Sequence, residues 1–376
     1  MIILLSGCAK EHLINEKTET QSANIQTSSS MPFEKSNGII SCEKILDEID
    51  VNKFETALLI GNDLIYCINQ DRKSDAVDAE FFCYSLEKKT VKKIGLIKNR
   101  NTYTNTYSVH GEKIFSTFAV IENNKILNKH FLINLERDKI SSLSIDDEFP
   151  PLVYTYFLNG EQYVEFQPKK RGENLYLYTV TLFDTENQHT QTIISKEINI
   201  KNNFSEAITA VNTYENSIYT AETVRKNEKK SHYICRYDRA GEIKEKIFID
   251  EITDFFETNP EDAILSLTVL ENQFIIRTLN HKLLGFAKTK SGYELIDTLC
   301  NDSFYVVEGS NGTSKKTNKL LLYNYGEEPK FYVYDVNRRD KNELSFNFRN
   351  LKNFTFDNGR LITVDENGIW KVELDM

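Results

Sequence analysis

The feature that most limits what this chain can become is a unit that recurs seven times. Each copy is a turn bearing Gly or Asn, followed by a segment that opens on an apolar pair. The copies are Gly61-Asn62-Asp63-Leu64-Ile65-Tyr66, Gly111-Glu112-Lys113-Ile114-Phe115, Gly160-Glu161-Gln162-Tyr163-Val164, Asn216-Ser217-Ile218-Tyr219, Asn272-Gln273-Phe274-Ile275, Asn318-Lys319-Leu320-Leu321 and Gly359-Arg360-Leu361-Ile362. With Leu64, Ile114, Tyr163, Ile218, Phe274, Leu320 and Leu361 as markers, the spacings are 50, 49, 55, 56, 46 and 41 residues. From Gly38 to Met376 the pattern is short-range alternation of Ile, Val, Phe, Tyr and Leu with polar residues, the period of strands. Repeats of this length carrying four strand-like segments point to the blades of a β-propeller.

The rest of the unit agrees. Phe82-Cys83-Tyr84-Ser85, Phe131-Leu132-Ile133-Asn134, Ile234-Cys235-Arg236-Tyr237-Asp238 and Phe331-Tyr332-Val333-Tyr334-Asp335 each end in a polar or charged turn that leads to another apolar run. Such turns are hairpin signals, because Gly, Asn and Asp accept the backbone conformations that tight turns demand. A four-stranded sheet with two apolar faces needs a neighbour on each side, and a closed ring supplies one to every blade. The expected fold is therefore all-β, a propeller of seven four-stranded blades. Six or eight blades are the alternatives, because the repeat is degenerate and the sixth unit holds a polar insertion from Glu308 to Asn318. The last unit has three strands, and Gly38 to Ile45 is expected to supply its fourth and close the ring. Two β-sandwiches are the competing architecture.

Composition narrows the class. The 376 residues include 23 Phe and 19 Tyr, enough apolar surface to offset the entropy of ordering the chain. With 15 Gly, 6 Pro and 6 Cys the chain is neither collagen-like nor a disulfide scaffold. A net charge of -10 argues against nucleic acid as a partner, since that affinity rests on Lys and Arg displacing counterions.

The N-terminus reads differently. Ile2-Ile3-Leu4-Leu5 runs into Ser6-Gly7-Cys8, and Leu5-Ser6-Gly7-Cys8 resembles the lipobox of bacterial lipoproteins. The resemblance implies a truncated signal segment over 1–7, diacylglycerol on the Cys8 thiol, and a cell-membrane location on the extracytoplasmic face. The basic part and the long apolar part of a complete signal are not fully present. Residues 8–37, rich in Glu, Lys, Thr, Gln, Ser and Asn, read as a polar tether, and 38–376 as the propeller domain.

Motifs with chemistry are sparse. His12, His110, His130, His189, His232 and His281 show no metal-ligand spacing, and His110 and His189 read as solvated turn residues. Gly309-Ser310-Asn311-Gly312 lacks the Lys of a phosphate cradle. Asp146-Asp147-Glu148 and Asp71 through Glu80 could supply oxygen ligands to Ca²⁺, but read as solvated loops. Thr363-Val364-Asp365-Glu366-Asn367-Gly368-Ile369-Trp370 is similar to the Asp-box of sialidase-type propellers, with Gly and Trp displaced by one, and reads as an ordinary hairpin. Cys67 and Cys83 lie on the arms of a hairpin centred near Asp75, where free thiols are favoured over a bridge. No cofactor, metal or catalytic residue is assigned. The expected function is a non-catalytic binding or scaffolding module for a protein, peptide or glycan. The alternative is a propeller hydrolase or lyase acting on extracellular polysaccharide, with side chains converging on the channel.

Overall fold

The structure is a computed structural model. It describes Gly38 to Met376, apart from residue 48 and the stretches 71–75, 123–124, 144–153, 160–161, 185, 188, 200–203, 228, 249–251, 253–255, 257–262, 272, 281, 290–292, 301–303, 308–318, 325–329, 336, 347 and 349. All of these residues fall in the unit Phe33–Met376. The 1–7 segment, Cys8 and the tether to residue 37 lie outside the described residues, as do Asp146-Asp147-Glu148, Glu308 to Asn318, His12 and His281.

The described strands form six antiparallel sheets. The largest takes seven in sequence order: β2 (Phe54–Ile60), β3 (Asp63–Asn69), β4 (Ala76–Ser85), β5 (Thr90–His110), β6 (Lys113–Glu122), β7 (Lys125–Asn134) and β8 (Lys139–Leu143). Four more sheets hold four consecutive strands each. They are β9 (Tyr154–Asn159), β10 (Gln162–Lys170), β11 (Leu175–Asp184) and β12 (His189–Asn199); then β13 (Phe204–Tyr214), β14 (Ser217–Lys226), β15 (Lys229–Tyr237) and β16 (Ile243–Phe248). Next come β17 (Ile264–Val269), β18 (Gln273–Thr278), β19 (Leu283–Lys288) and β20 (Tyr293–Cys300); then β21 (Phe304–Val307), β22 (Lys319–Asn324), β23 (Lys330–Asp335) and β24 (Asp340–Leu344). The sixth sheet joins β25 (Asn353–Asp357), β26 (Arg360–Asp365) and β27 (Gly368–Leu374) to the first strand, β1 (Ile39–Ile45), which pairs from Ile39↔Leu374 to Ile45↔Ile369.

All seven sequence markers are the second residue of the second strand of a unit: β3, β6, β10, β14, β18, β22 and β26. The turns before them explain the Gly and Asn. Asn358 and Gly359 have φ of 48° and 73°, and Glu215 and Asn216 have 44° and 65°. Two consecutive left-handed residues make the hairpin turn whose twist matches its strands.

Burial shows that the sheets are covered on both faces. The central strands β22, β23 and β26 are buried along nearly their whole length, whereas the outer strands β16 and β24 are exposed at most positions. A strand packed on one face only would alternate. The sheet β17–β20 shows the reason. Leu267, Phe274 and Phe286 pack with Ala210, Ala221 and Ile234 of the sheet before it, and Leu270, Ile275 and Leu283 pack with Leu320, Leu322 and Tyr334 of the sheet after it. Two sandwiches would pair the sheets off instead.

The seven-stranded sheet is bent at β5, where the register shifts between Arg100 and Asn105. Its two halves face each other: Lys92 pairs with Asp138 in the turn before β8, and a Cβ on Gly95 would lie 3.0 Å from the Ile140 side chain. Ile65, Phe81 and Ile97 thereby bury against Ile114, Phe118 and Ile133. The remaining apolar clusters join Phe115 and Leu143 to Phe183, Val164 and Val180 to Ile208 and Ile218, and Leu321 and Phe331 to Phe356 and Leu361. One more joins Ile362, Val364 and Ile369 to Phe54, Leu59 and Leu64.

The β3–β4 hairpin corrects one expectation. Its register pairs Ile65 with Cys83 and Cys67 with Phe81, so it is centred on residue 74 and the two cysteines are offset by two positions. Both are free thiols, as are Cys42 and Cys235.

Candidate functional site

Antiparallel geometry gives every unit two ends. At one, the first strand begins and the second turns into the third; at the other lie the turns between first and second and between third and fourth strands. The second end is fastened by side chains that accept turn amides. Asp184 Oδ1 accepts from Glu186 N and Asn187 N at 3.0 and 3.1 Å, and Asp238 Oδ1 from Ala240 N and Glu242 N at 2.9 Å each. Asp335 Oδ1 takes Asn337 N and Arg338 N at 3.0 Å, Asn134 Oδ1 takes Arg137 N at 3.0 Å, and Ser85 Oγ takes Lys88 N at 3.3 Å. These residues close the third strand of their units, which is why the segments quoted above end as they do.

Two buried charge networks lie nearer the first end. In one, Glu222 of β14, wholly inaccessible, accepts from Lys196 Nζ of β12 at 2.6 Å, from Thr220 Oγ1 at 2.9 Å and from the Tyr237 hydroxyl at 2.5 Å. Lys196 also reaches Glu206 of β13 at 3.5 Å. Burial alone would raise the Glu222 carboxyl, but the hydrogen bonds from Lys196 and Tyr237 and the Lys196 charge outweigh it and hold the group below its usual range. The same arrangement pushes Tyr237 far up, by burial and by the bond to Glu222, and Cys235 up to about 12, chiefly by burial. In the other network Arg100 of β5, also fully buried, pairs with Glu55 of β2. Its Nη1 lies 3.8 Å from Cys67 Sγ, its guanidinium lies 5.4 Å from the Phe118 ring centre, and Asn69 Nδ2 donates to the same carboxylate.

A third motif occurs twice. Thr117 and His130 are cross-strand partners on β6 and β7, with Oγ1 to Nδ1 at 2.8 Å; Thr223 and His232 are partners on β14 and β15, at 3.0 Å. His130 stacks on Phe115 and His232 packs on Phe256. Burial lowers both imidazoles to about 4, with the Lys230 charge a lesser cause at His232, so both are neutral near pH 7.

The sequence offers His130, His232 and Cys67 singly and joins none of them to its partners in these three groups. Their residues are scattered singly through unremarkable strands, and only the even spacing of Ile218, Thr220 and Glu222, which puts a charge on a buried face, marks one of them. The residues it did single out take other roles. His189 is exposed. Asp78 Oδ1 accepts from Asn99 N at 3.0 Å and Glu80 pairs with Lys93. Asp365 Oδ1 accepts from Asn367 N, Gly368 N and Trp370 Nε1 at 2.9, 3.1 and 3.2 Å, so the Thr363 to Trp370 stretch is a hairpin locked by its own aspartate. Cys42 and Cys83 are raised to about 11, mainly by burial. No cluster of three or more His, Cys, Asp or Glu suited to a metal ion occurs among the described residues.

No family model and no curated protein matches the chain. Solved structures do. The β-propeller domain of the Trilobed protease from Pyrococcus furiosus, described as having an open velcro topology, superposes with a TM-score of 0.52 at 12% identity, over 85% of this chain and 96% of that one. An oligogalacturonate lyase from Vibrio parahaemolyticus gives 0.51 at 10% identity, over 90% and 98%. An acylaminoacyl peptidase from Pyrococcus horikoshii gives 0.51 at 13% identity over 84% of this chain; the chain spans 49% of that enzyme's length. At these identities the likeness establishes the fold alone: the chain is an all-β protein of the β-propeller type.

Proposed function

We propose that this chain is a seven-bladed β-propeller that serves as a non-catalytic binding module, held through a lipid on Cys8 at the extracytoplasmic face of a cell membrane. The observation that carries the binding reading is the state of the buried reactive groups. Both oxygens of Glu222 are taken by Lys196, Thr220 and Tyr237, and the Cys235 and Cys83 thiols are driven up by burial, out of the range of reactive nucleophiles. These groups fasten one sheet to the next, and the exposed loops at the two ends remain for recognition.

Seven blades are supported by the bend in β5, which splits the seven-stranded sheet into two units of four, and by apolar clusters that join each unit to the next and the last to the first. Closure is supported by β1 pairing with β27, by Leu59 N donating to Thr355 Oγ1 at 3.0 Å and by Gly61 N donating to Asp357 Oδ2 at 3.1 Å. The membrane address is supported by Leu5-Ser6-Gly7-Cys8 and the polar segment after it; two acyl chains make a stable anchor where one does not.

Cell fractionation of a Cys8→Ser variant tests the address: the variant should move to the soluble fraction, and its retention with the membrane overturns the anchor. Incubation of the full chain with envelope extract tests the activity class. One component retained intact supports binding; its cleavage moves the chain to the hydrolase or lyase reading.

A further inference from the structure

The two ends of the sheets differ in a way the binding reading does not use. The second and third strands of three successive units, β6–β7, β10–β11 and β14–β15, are 9 or 10 residues long, whereas those of β18–β19, β22–β23 and β26–β27 are 6 or 7. The markers align their starts, so the extra residues project at the opposite end, by about 10 Å at 3.3 Å per residue.

Two of these raised tips, on neighbouring sheets, are strongly basic. Lys170 and Arg171 end one, and Arg225, Lys226, Lys229 and Lys230 form the other; all six are exposed. Lys226 sits directly opposite Lys229, and Arg225 opposite Lys230. Like charges in facing positions destabilise a hairpin. Among the described residues no carboxylate pairs with Lys170, Arg171, Arg225, Lys226 or Lys229. The Arg225 Nε donates to Asn227 O at 3.0 Å, which holds that guanidinium at the turn. In the sequence Glu173 is the acidic residue between Lys170 and Asn174, and Glu228 that between Arg225 and Lys230, the latter outside the described residues. This cluster stands on a chain whose net charge is -10.

We propose that these two tips form a docking surface for a linear anionic polysaccharide whose charges are carboxylates. Two arguments choose that occupant. The tips carry no apolar side chain from Lys170 to Asn174 or from Arg225 to Lys230, whereas a protein interface centres on aromatic and apolar anchors and is depleted in Lys. A chain with one charge per sugar gains from local counterion release without pressing a dense phosphate backbone against the acidic remainder.

The proposal rests on the binding reading and names the chemistry of its ligand. The test is titration of the full chain with polygalacturonate, with neutral dextran, poly-glutamate and single-stranded DNA as comparison probes, over a range of salt. Polygalacturonate should bind tightest, and dextran not at all. The triple variant Lys226→Gln, Lys229→Gln, Lys230→Gln should weaken it at least tenfold and flatten the logarithmic salt slope by about 2, at roughly 0.7 per charge removed. The variant should melt close to the parent, since all three side chains are exposed. A variant that binds within twofold of the parent, or tighter binding of poly-glutamate or DNA, overturns the patch or its ligand. Polymer that is shortened on incubation while keeping the variant's charge dependence overturns the non-catalytic reading and upholds the patch.

Discussion

The seam between the β9–β12 and β13–β16 sheets and the seam between the β21–β24 sheet and its neighbour built from β25, β26, β27 and β1 are held by different chemistry. The first places Lys196, Glu206, Glu222 and Tyr237 among aliphatic side chains. The second is a nest of rings: Phe331 meets Tyr323, Phe346, Phe348 and Phe354 at centroid distances from 4.8 to 5.9 Å. An aromatic seam gains from area and ring geometry, tolerates small shifts and ignores pH. A charged seam holds only while every partner is present, because the cost of burying each ion is offset by the other. It specifies one alignment of the two sheets more sharply than it stabilises them.

The sharpest way to break this contrast is Lys196→Met. It strands the Glu222 carboxylate and should cost about 4 kcal/mol in denaturant unfolding. The double variant Lys196→Met, Glu222→Leu should recover most of that; no recovery means that the pair is not what aligns the sheets.

Acid is the next lever. His130 and His232 have a pKa of about 4 in the fold against 6.5 ordinarily. Between about pH 6.5 and 4 the unfolded chain binds protons that the folded chain does not, so stability falls with pH across that window and is level above it, by on the order of 3 kcal/mol for each histidine. Glu222, held low in the fold, extends the loss below its unfolded value of about 4.3. Melting curves from pH 7 to 4 should show the decline, and His130→Gln with His232→Gln should flatten it.

In the sheet of β25, β26, β27 and β1, Asp365→Ala removes the acceptor of three N–H groups and should cost about 2 kcal/mol. Smallest is Phe331→Leu, about 1 kcal/mol and the same at every pH. A pH-dependent loss there would erase the distinction between the seams.

Much of this architecture could be read in advance where the signal is local. A turn such as Asn358-Gly359 needs left-handed backbone that few residues accept, so the seven markers announced the seven second strands. The fourth strand of the last sheet could be placed because one unit was a strand short. The hairpin that carries Cys67 and Cys83 is centred on residue 74 and not on Asp75, because alternation in the arms leaves the register of the pair open. Of the buried charges only Glu222 was legible, through its even spacing from Ile218 and Thr220; its partner Lys196 is 26 residues away on a different sheet, and nothing near either residue names the other.

The sequence by itself determined the strand period and the turns, which follow from side chains within a few residues of one another, and the recurrence of the seven markers and the acidic balance, which need only counting along the chain. Only the tertiary structure decided which charges are buried as pairs, that two Thr–His partners recur in different sheets, and that two basic hairpin tips rise at one end. The buried charge pairs depend on how sheets stack, which brings together side chains far apart along the chain, and the Thr–His partners and basic tips depend on the register and length of each hairpin.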